Sequence, residues 1–136
     1  MAGYSGTPLA RKLGIKEGSV IAMINAPIDF QDNLGALPEN VRIAKSTRLV
    51  DLIVLFADSE RRLRRDFTKQ ATRIYPKGML WIAWPKNSSG RTTDLTFANV
   101  QGIGLAAGLV DVKICAIDDV WSGLKFVYRL KDRPAR

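Results

Sequence analysis

The chain has 136 residues, of which 46% are hydrophobic and 25% charged, a size and composition typical of one globular α/β or similar domain. It contains no histidine and a single cysteine, which excludes catalytic triads that need histidine, histidine metal sites and internal disulfides. The formal net charge of +8 favours anionic partners. The first 13 residues lack a signal-peptide apolar stretch and no apolar run is long enough to span a bilayer, so we expect a cytoplasmic protein that does not contact a membrane.

The first half of the chain predicts a short helix and three strands. Residues 7–13 predict the helix, with Thr7 as its cap and Gly14 just past its end. Residues 19–25 and 49–57 are continuous apolar runs, which are typical of parallel strands covered on both faces. Residues 41–45 predict a short strand between them, and residues 33–40 predict a loop.

The second half predicts two helices, a strand and a closing hairpin. Residues 59–75 predict a helix with an apolar side and a basic side, residues 79–84 a third apolar strand, and residues 96–107 a helix weakened by Gly102 and Gly104 and ended by Gly108. Residues 110–117 and 124–130 alternate in polarity and predict an antiparallel hairpin, followed by a frayed basic tail at residues 131–136.

This order of elements predicts a single three-layer, Rossmann-like α/β domain. Alternating strands and helices favour a mostly parallel sheet, in which the final hairpin places one antiparallel strand. Strands apolar on both sides need cover on both faces, and only two substantial helices are evident. A homodimer that covers the remaining face or edge is therefore one hypothesis.

The second half also resembles the later portion of class I, Rossmann-like methyltransferases. Residues 75–82 (YPKGMLWI) look like their proline, glycine and hydrophobic-strand passage, and residues 109–129 look like their closing hairpin. The resemblance implies a methyltransferase-like fold. Those enzymes carry a glycine-rich turn after the first strand, whereas here residues 25–29 (NAPID) hold no glycine and include Pro27, which lacks a backbone donor. We therefore predict no cofactor and lean against an enzyme.

A second resemblance covers nearly the whole chain. The chain is similar to a family of small bacterial proteins catalogued only as a domain of unknown function. The matching segments are residues 4–9 (YSGTPL), 12–15 (KLGI), 80–86 (LWIAWPK), 108–113 (GLVDVK) and 121–127 (WSGLKFV). This resemblance implies kinship and supplies no activity or catalytic residue.

The candidate ligand site lies beyond the carboxyl ends of the strands, where open α/β sheets bind their ligands. Residues 25–29 and 86–94 should meet at that edge. The second loop places basic and hydroxyl side chains before a helix N-terminus, which favours a phosphate or carboxylate; a solvated loop with ordinary capping residues is the alternative. The tryptophan near the hairpin turn offers either an aromatic face to the ligand or core packing. The candidate ligand-binding residues are Asn25, Asp29, Trp84, Lys86, Ser88, Ser89, Arg91, Asp94, Trp121 and Lys125.

Three functions follow as hypotheses. The first is a non-catalytic binding or accessory protein for an anionic small molecule or partner. The second is a nucleic-acid-binding protein that uses the basic helix face, against the simpler interpretation that this face is only solvated. The third is a degenerate S-adenosylmethionine-dependent enzyme. No catalytic residue and no metal site is predicted. The residues of the basic face are Arg62, Arg65, Lys69 and Arg73.

Overall fold

Six strands form one sheet in a computed structural model that describes residues 8–45 and 48–134. The strands are β1 (Val20–Ile24), β2 (Arg42–Ile43), β3 (Leu52–Phe56), β4 (Met79–Pro85), β5 (Leu109–Ala116) and β6 (Trp121–Tyr128). Their order is β2-β1-β3-β4-β6-β5, and β1 to β4 run parallel. β6 runs antiparallel to both β4 and β5. The predicted mostly parallel sheet with one antiparallel strand is confirmed.

Four helices cover the two faces of this sheet: α1 (Leu9–Leu13), α2 (Phe30–Leu34), α3 (Glu60–Arg73) and α4 (Phe97–Ala106). Alternate residues of a strand point to opposite faces, so β3 and β4 supply two separate cores. Ile53, Leu55, Leu80 and Ile82 pack with Leu63 and Phe67 of α3 and Val100 and Ile103 of α4. Leu52, Val54, Phe56 and Trp81 pack with Leu13 of α1 and Phe30 and Leu34 of α2.

Helix α2 is the main departure from the predicted elements. The predicted loop 33–40 includes the last two residues of this helix, Asn33 and Leu34, and the helix fully buries Phe30 and Leu34. Five residues are too few to show a helical period clearly. Together α1 and α2 cover the second sheet face, and the Trp81 indole Nε1 donates to the Leu13 carbonyl at 2.8 Å. The second sheet face is therefore covered by the chain itself, and a homodimer that covers a sheet edge stays a prediction.

Helix α3 begins as predicted, because the Ser59 hydroxyl caps it by accepting the Arg62 backbone N–H at 3.2 Å. Its far end differs. The prediction that Arg73 lies on the solvated basic side is wrong, since this residue is only 7% exposed. Its guanidinium donates to the Arg48 carbonyl and to the Gln70 side chain.

The closing segments form the predicted hairpin, but β6 begins at Trp121 and not at residue 124, so the connection is shorter than predicted. β5 is an edge strand with a bulge between Asp111 and Lys113, a common device for blunting an exposed edge. Of the tail predicted to fray, residues 131–134 are described: Leu130–Asp132 form a 3₁₀ turn, and the Arg133 guanidinium donates to the Tyr128 carbonyl at 2.9 Å. Thr7, the predicted cap of α1, lies outside the described residues.

Candidate functional site

A cleft of about 280 Å³ lies at the carboxyl ends of β1 and β3, beside the start of α3. It draws its lining from the turn after β1, from the end of β3, from α3, from the 86–94 loop and from the start of β6. The structure thus brings the two predicted loops together at one edge of the sheet. The lining residues are Asn25, Pro27, Phe56, Ala57, Asp58, Arg62, Arg91 and Trp121.

Trp121 and Phe56 form the aromatic side of the cleft. Their rings meet edge to face with centroids 5.0 Å apart, and Trp121 is 7% exposed. The Asp118 carboxylate fixes the turn that leads into this tryptophan, because it accepts the backbone N–H groups of Val120 and Trp121 at 2.8 and 2.9 Å. Trp121 is therefore both a core residue and part of the cleft wall.

Arg91 reaches the same wall from the 86–94 loop. Its guanidinium carbon lies 5.0 Å from the centre of the Trp121 ring, within cation–π range. The loop is shaped by Ser89, whose hydroxyl donates to the Lys86 carbonyl at 2.7 Å and accepts the Arg91 N–H at 3.1 Å. Ser89 thus positions the loop, and the exposed Arg91 presents its charge at the cleft.

Asn25 forms the corner between β1 and the cleft. Its φ of 59° lies in the left-handed region that glycine favours and that asparagine tolerates best among other residues. Its amide Nδ2 is 3.4 Å from both the Phe56 carbonyl and the Asp66 carboxylate. Asp66 also pairs with Arg65, and that hydrogen bond holds the pKa of Asp66 below its usual value.

Two backbone donors at the start of α3 are already engaged. The Asp94 carboxylate accepts the Glu60 N–H at 2.7 Å, and Ser59 accepts the Arg62 N–H. The positive charges among the lining residues are carried by the side chains of Arg62 and Arg91. Arg62 is only loosely paired with Asp58, at 4.0 Å between partly exposed groups, so it remains available to an anion.

The helix N-terminus that follows the 86–94 loop is also capped, which corrects the predicted phosphate site there. Thr96 and Asn99 form a reciprocal capping box, and the Asn99 amide donates to the Asp94 carbonyl at 2.8 Å. Asp94 and Thr96 act as helix-capping residues, which was the alternative interpretation of this stretch.

Seven of the ten predicted ligand residues are not among the lining residues of the cleft. Three of them, Lys86, Ser89 and Asp94, take part in the loop and capping contacts described above. Trp84 is 5% exposed and packs in the core beneath α3 and α4, so the interpretation that it lines the cleft is wrong. Lys125 is the cross-strand partner of Trp81, and its ammonium group lies over the Trp81 ring. It is four residues, or roughly 13 Å, along β6 from Trp121. Asp29 is the residue before α2, and Ser88 is exposed within the Asn87–Ser89 turn.

The predicted basic face of α3 is largely paired within its own helix or its cap. Arg62 pairs with Asp58, Arg64 with Glu60, and Arg65 with Asp66. With Arg73 buried, Lys69 is the member of the predicted set that stays exposed without an ion pair.

Five lining residues of the cleft were not among the predicted ligand residues: Pro27, Phe56, Ala57, Asp58 and Arg62. A signal existed for three of them. Ala57 and Asp58 follow the buried strand β3, and residues just past a strand's carboxyl end are expected at the ligand edge. Arg62 follows four residues later, one helical turn from Asp58. Within residues 8–45 and 48–134, no group of acidic, cysteine or histidine side chains is placed to hold a metal ion. No helix in the same ranges is long and apolar enough to cross a membrane.

Comparison with solved structures places the fold among methyltransferases. A possible exported protein from Bordetella parapertussis is similar over 93% of this chain and 66% of its own, just under two thirds, with 13% identity and a TM-score of 0.63. Magnesium protoporphyrin IX methyltransferase from Synechocystis PCC 6803, solved with bound SAH, is similar over 89% of this chain and 78% of its own, with 9% identity and a TM-score of 0.59.

A third solved structure has the same architecture. Precorrin-6y C5,15-methyltransferase from Geobacter metallireducens is similar over 89% of this chain and 86% of its own, with 9% identity and a TM-score of 0.58. No family model and no curated protein sequence matches the chain. The chain therefore has the Rossmann-like fold of class I methyltransferases. At sequence identities this low, the likeness concerns the fold alone.

Proposed function

We propose that the chain is a binding protein for a small molecule that carries a carboxylate or phosphate group, held in the cleft at the carboxyl ends of β1 and β3. One observation carries the proposal: two guanidinium groups, Arg62 and Arg91, converge on a cleft that already has an aromatic wall. Asp58 is the single carboxylate among the lining residues, so the cleft offers a net positive charge to an anion.

The chemistry of the walls narrows the ligand further. Arginine donates two parallel hydrogen bonds to a carboxylate or phosphate, while Trp121, backed by the buried Phe56 ring, supplies the aromatic edge of the cleft. A volume of about 280 Å³ lies near the lower end of small-molecule sites. A compact ligand with one anionic group and one flat or apolar part satisfies all three features.

The experiment is a calorimetric titration of the purified chain with a panel of sugar phosphates, nucleotides and aromatic carboxylates. Arg62→Gln and Arg91→Gln should each weaken the binding of a responding ligand by about 10-fold or more, because a hydrogen bond to a charged group contributes about 1.5–3 kcal/mol. Arg61→Gln is the matched control, since Arg61 is the exposed neighbour of Arg62 and does not line the cleft. Equal affinity in all four proteins would disprove the site.

S-adenosylmethionine-dependent methyl transfer is the second candidate, and the shared fold favours it. Asn25 supports it too, because its positive φ supplies the kind of turn after β1 that glycine usually forms. The lining fits that cofactor less well: Pro27 lacks a backbone donor, and two arginines face a ligand that carries a sulfonium and an ammonium group.

The two candidates separate in one assay. Titration with S-adenosylmethionine and with S-adenosylhomocysteine, which lacks the sulfonium charge, measures whether the cleft accepts the cofactor. Tight binding of S-adenosylmethionine that Arg62→Gln strengthens would favour the methyltransferase. No binding of either compound, together with binding of a simple anion, would favour the binding protein.

A further inference from the structure

Four lysines from four parts of the fold lie close together on the sheet face that α1 covers, and three of them, Lys12, Lys113 and Lys125, surround Cys115. They are Lys12 in α1, Lys16 in the turn after it, Lys113 in β5 and Lys125 in β6, and we call them the lysine cluster. Lys113 and Lys125 are direct cross-strand partners. The Lys12 Nζ lies 3.5 Å from the Ala116 carbonyl, and the Lys113 Nζ lies 3.5 Å from the Lys12 carbonyl.

None of these lysines forms an ion pair with a described carboxylate. The ion pairs among residues 8–45 and 48–134 all involve arginines of α3. Like charges directly opposite on neighbouring strands destabilise a sheet. Burial, Lys113 and, more weakly, Lys16 lower the pKa of Lys125. The cluster therefore concentrates positive charge at a cost to folding that an anion would relieve.

We propose that the lysine cluster binds the phosphate backbone of a nucleic acid. Lysine is a compact charge that contacts phosphates without demanding one geometry, and the net charge of +8 adds attraction at long range. Trp81, the aromatic residue beneath Lys125, is fully buried. It offers no surface for stacking a base, so recognition rests on phosphate contacts and is independent of sequence.

The surroundings favour a nucleic acid over an acidic protein. A protein interface has an apolar centre beside its charges. Two exposed apolar residues flank Lys113. Val112 lies in the bulge of β5, and Ile114 pairs with Leu124 and lies on the opposite face of the sheet. The cluster also stands apart from the cleft and does not depend on the function proposed there.

The test measures the salt dependence of binding to a short labelled DNA duplex by fluorescence anisotropy. Four phosphate contacts give a slope of log affinity against log salt of about −3.6, which weakens binding ~150-fold between about 50 and 200 mM salt. Lys16→Gln/Lys113→Gln changes two exposed lysines and should reduce the slope to about −1.8 and the fall to ~12-fold. Arg61→Gln/Lys69→Gln removes the same charge from α3 and should keep the wild-type slope.

The reactivity of Cys115 gives an independent measure of where the duplex binds. It is the single cysteine of the chain and is partly exposed within the cluster, so bound duplex should slow its reaction with a thiol reagent. The proposal fails if the duplex does not bind at low salt, or if both double variants lose the same slope. It also fails if binding leaves Cys115 unprotected, or if a poly-aspartate peptide binds as tightly as the duplex.

Discussion

Replacing Gly104 with alanine tests the packing of α4 on the sheet. A Cβ atom at Gly104 would overlap the ring of Phe126, whose Cδ1 would be 2.6 Å away. The ring cannot turn aside freely, because Phe126 is fully buried and packs edge to face on Phe67 at 5.4 Å. Gly102, two residues earlier in the same helix, has no atom within 4 Å of the equivalent position. The two glycines therefore form a matched pair.

The expected changes in unfolding free energy have opposite signs. Alanine is favoured over glycine inside a helix by about 1 kcal/mol, so Gly102→Ala should stabilise by roughly 0.5–1 kcal/mol. Gly104→Ala receives the same gain but overfills the core, which costs about 1–3 kcal/mol. Because the Phe126 ring is fully buried, we expect a cost in the upper part of that range, about 2–3 kcal/mol, and therefore a net destabilisation of about 1–2.5 kcal/mol. Each kcal/mol corresponds to a shift in Tm of roughly 2–4 °C in a domain near this size.

Chemical denaturation of the wild type and the two variants measures these differences. A double-mutant cycle that combines Gly104→Ala with Phe126→Leu then isolates the contact, since a smaller side chain opposite the added methyl group should recover about 1 kcal/mol relative to the sum of the single changes. Gly104→Ala that is as stable as Gly102→Ala would refute the close packing of α4 on β6. A cycle without coupling would show that the clash lies elsewhere.

Three further predictions concern the two sites. Asn25→Ala should be less stable than Asn25→Gly by about 1 kcal/mol in thermal unfolding, because both lose the amide while only alanine is strained at a φ of 59°; equal stability would contradict the left-handed turn. Arg65 holds the pKa of Asp66 below its unfolded value, so the stabilisation from Asp66 is present above that unfolded value and lost as pH falls through the folded one. Asp66→Asn should thus destabilise at neutral pH and lose its effect in acid, and a pH-independent penalty would refute the pairing. Burial raises the pKa of Cys115 while nearby lysines, Lys113 among them, lower it, so alkylation near pH 8 should be slower than for a small thiol and slower still in Lys113→Gln, whereas a faster variant would contradict the assigned environment.

The sequence predicted an element correctly wherever it carried a continuous apolar run or one clear hydrophobic period. The apolar runs of β1, β3 and β4, the amphipathic pattern of α3 and the alternation of β5 and β6 each predicted an element that the structure contains. The five-residue α2 gave no such signal, and its Phe30 and Leu34 acquire their role from the sheet face they cover. Buried strands also hide the direction of their side chains, which is why Trp84 was assigned to the cleft although it packs beneath α3 and α4.

The candidate site was predictable at the level of loops and less so for residues. The edge rule for parallel strands placed Asn25 and Arg91 together correctly, whereas the partners that fix their positions are distant in sequence. Asp66 meets Asn25 across 41 residues, and Trp121 meets Arg91 although α4 and β5 lie between them in the chain. Arg73 is a further example. The Arg48 carbonyl that accepts its hydrogen bond comes near it only in the tertiary structure, so the burial of Arg73 could not be predicted from the sequence.

The three tryptophans occupy three different environments, and this gives the protein built-in optical probes. Trp81 lies beneath Lys125, Trp84 lies in the core under α3 and α4, and Trp121 lies under Arg91 at the cleft. Variants that keep one tryptophan and carry phenylalanine at the other two positions would each emit from one region. Intrinsic fluorescence could then report a ligand in the cleft, a polyanion on the lysine cluster and global unfolding as separate signals, without an attached dye.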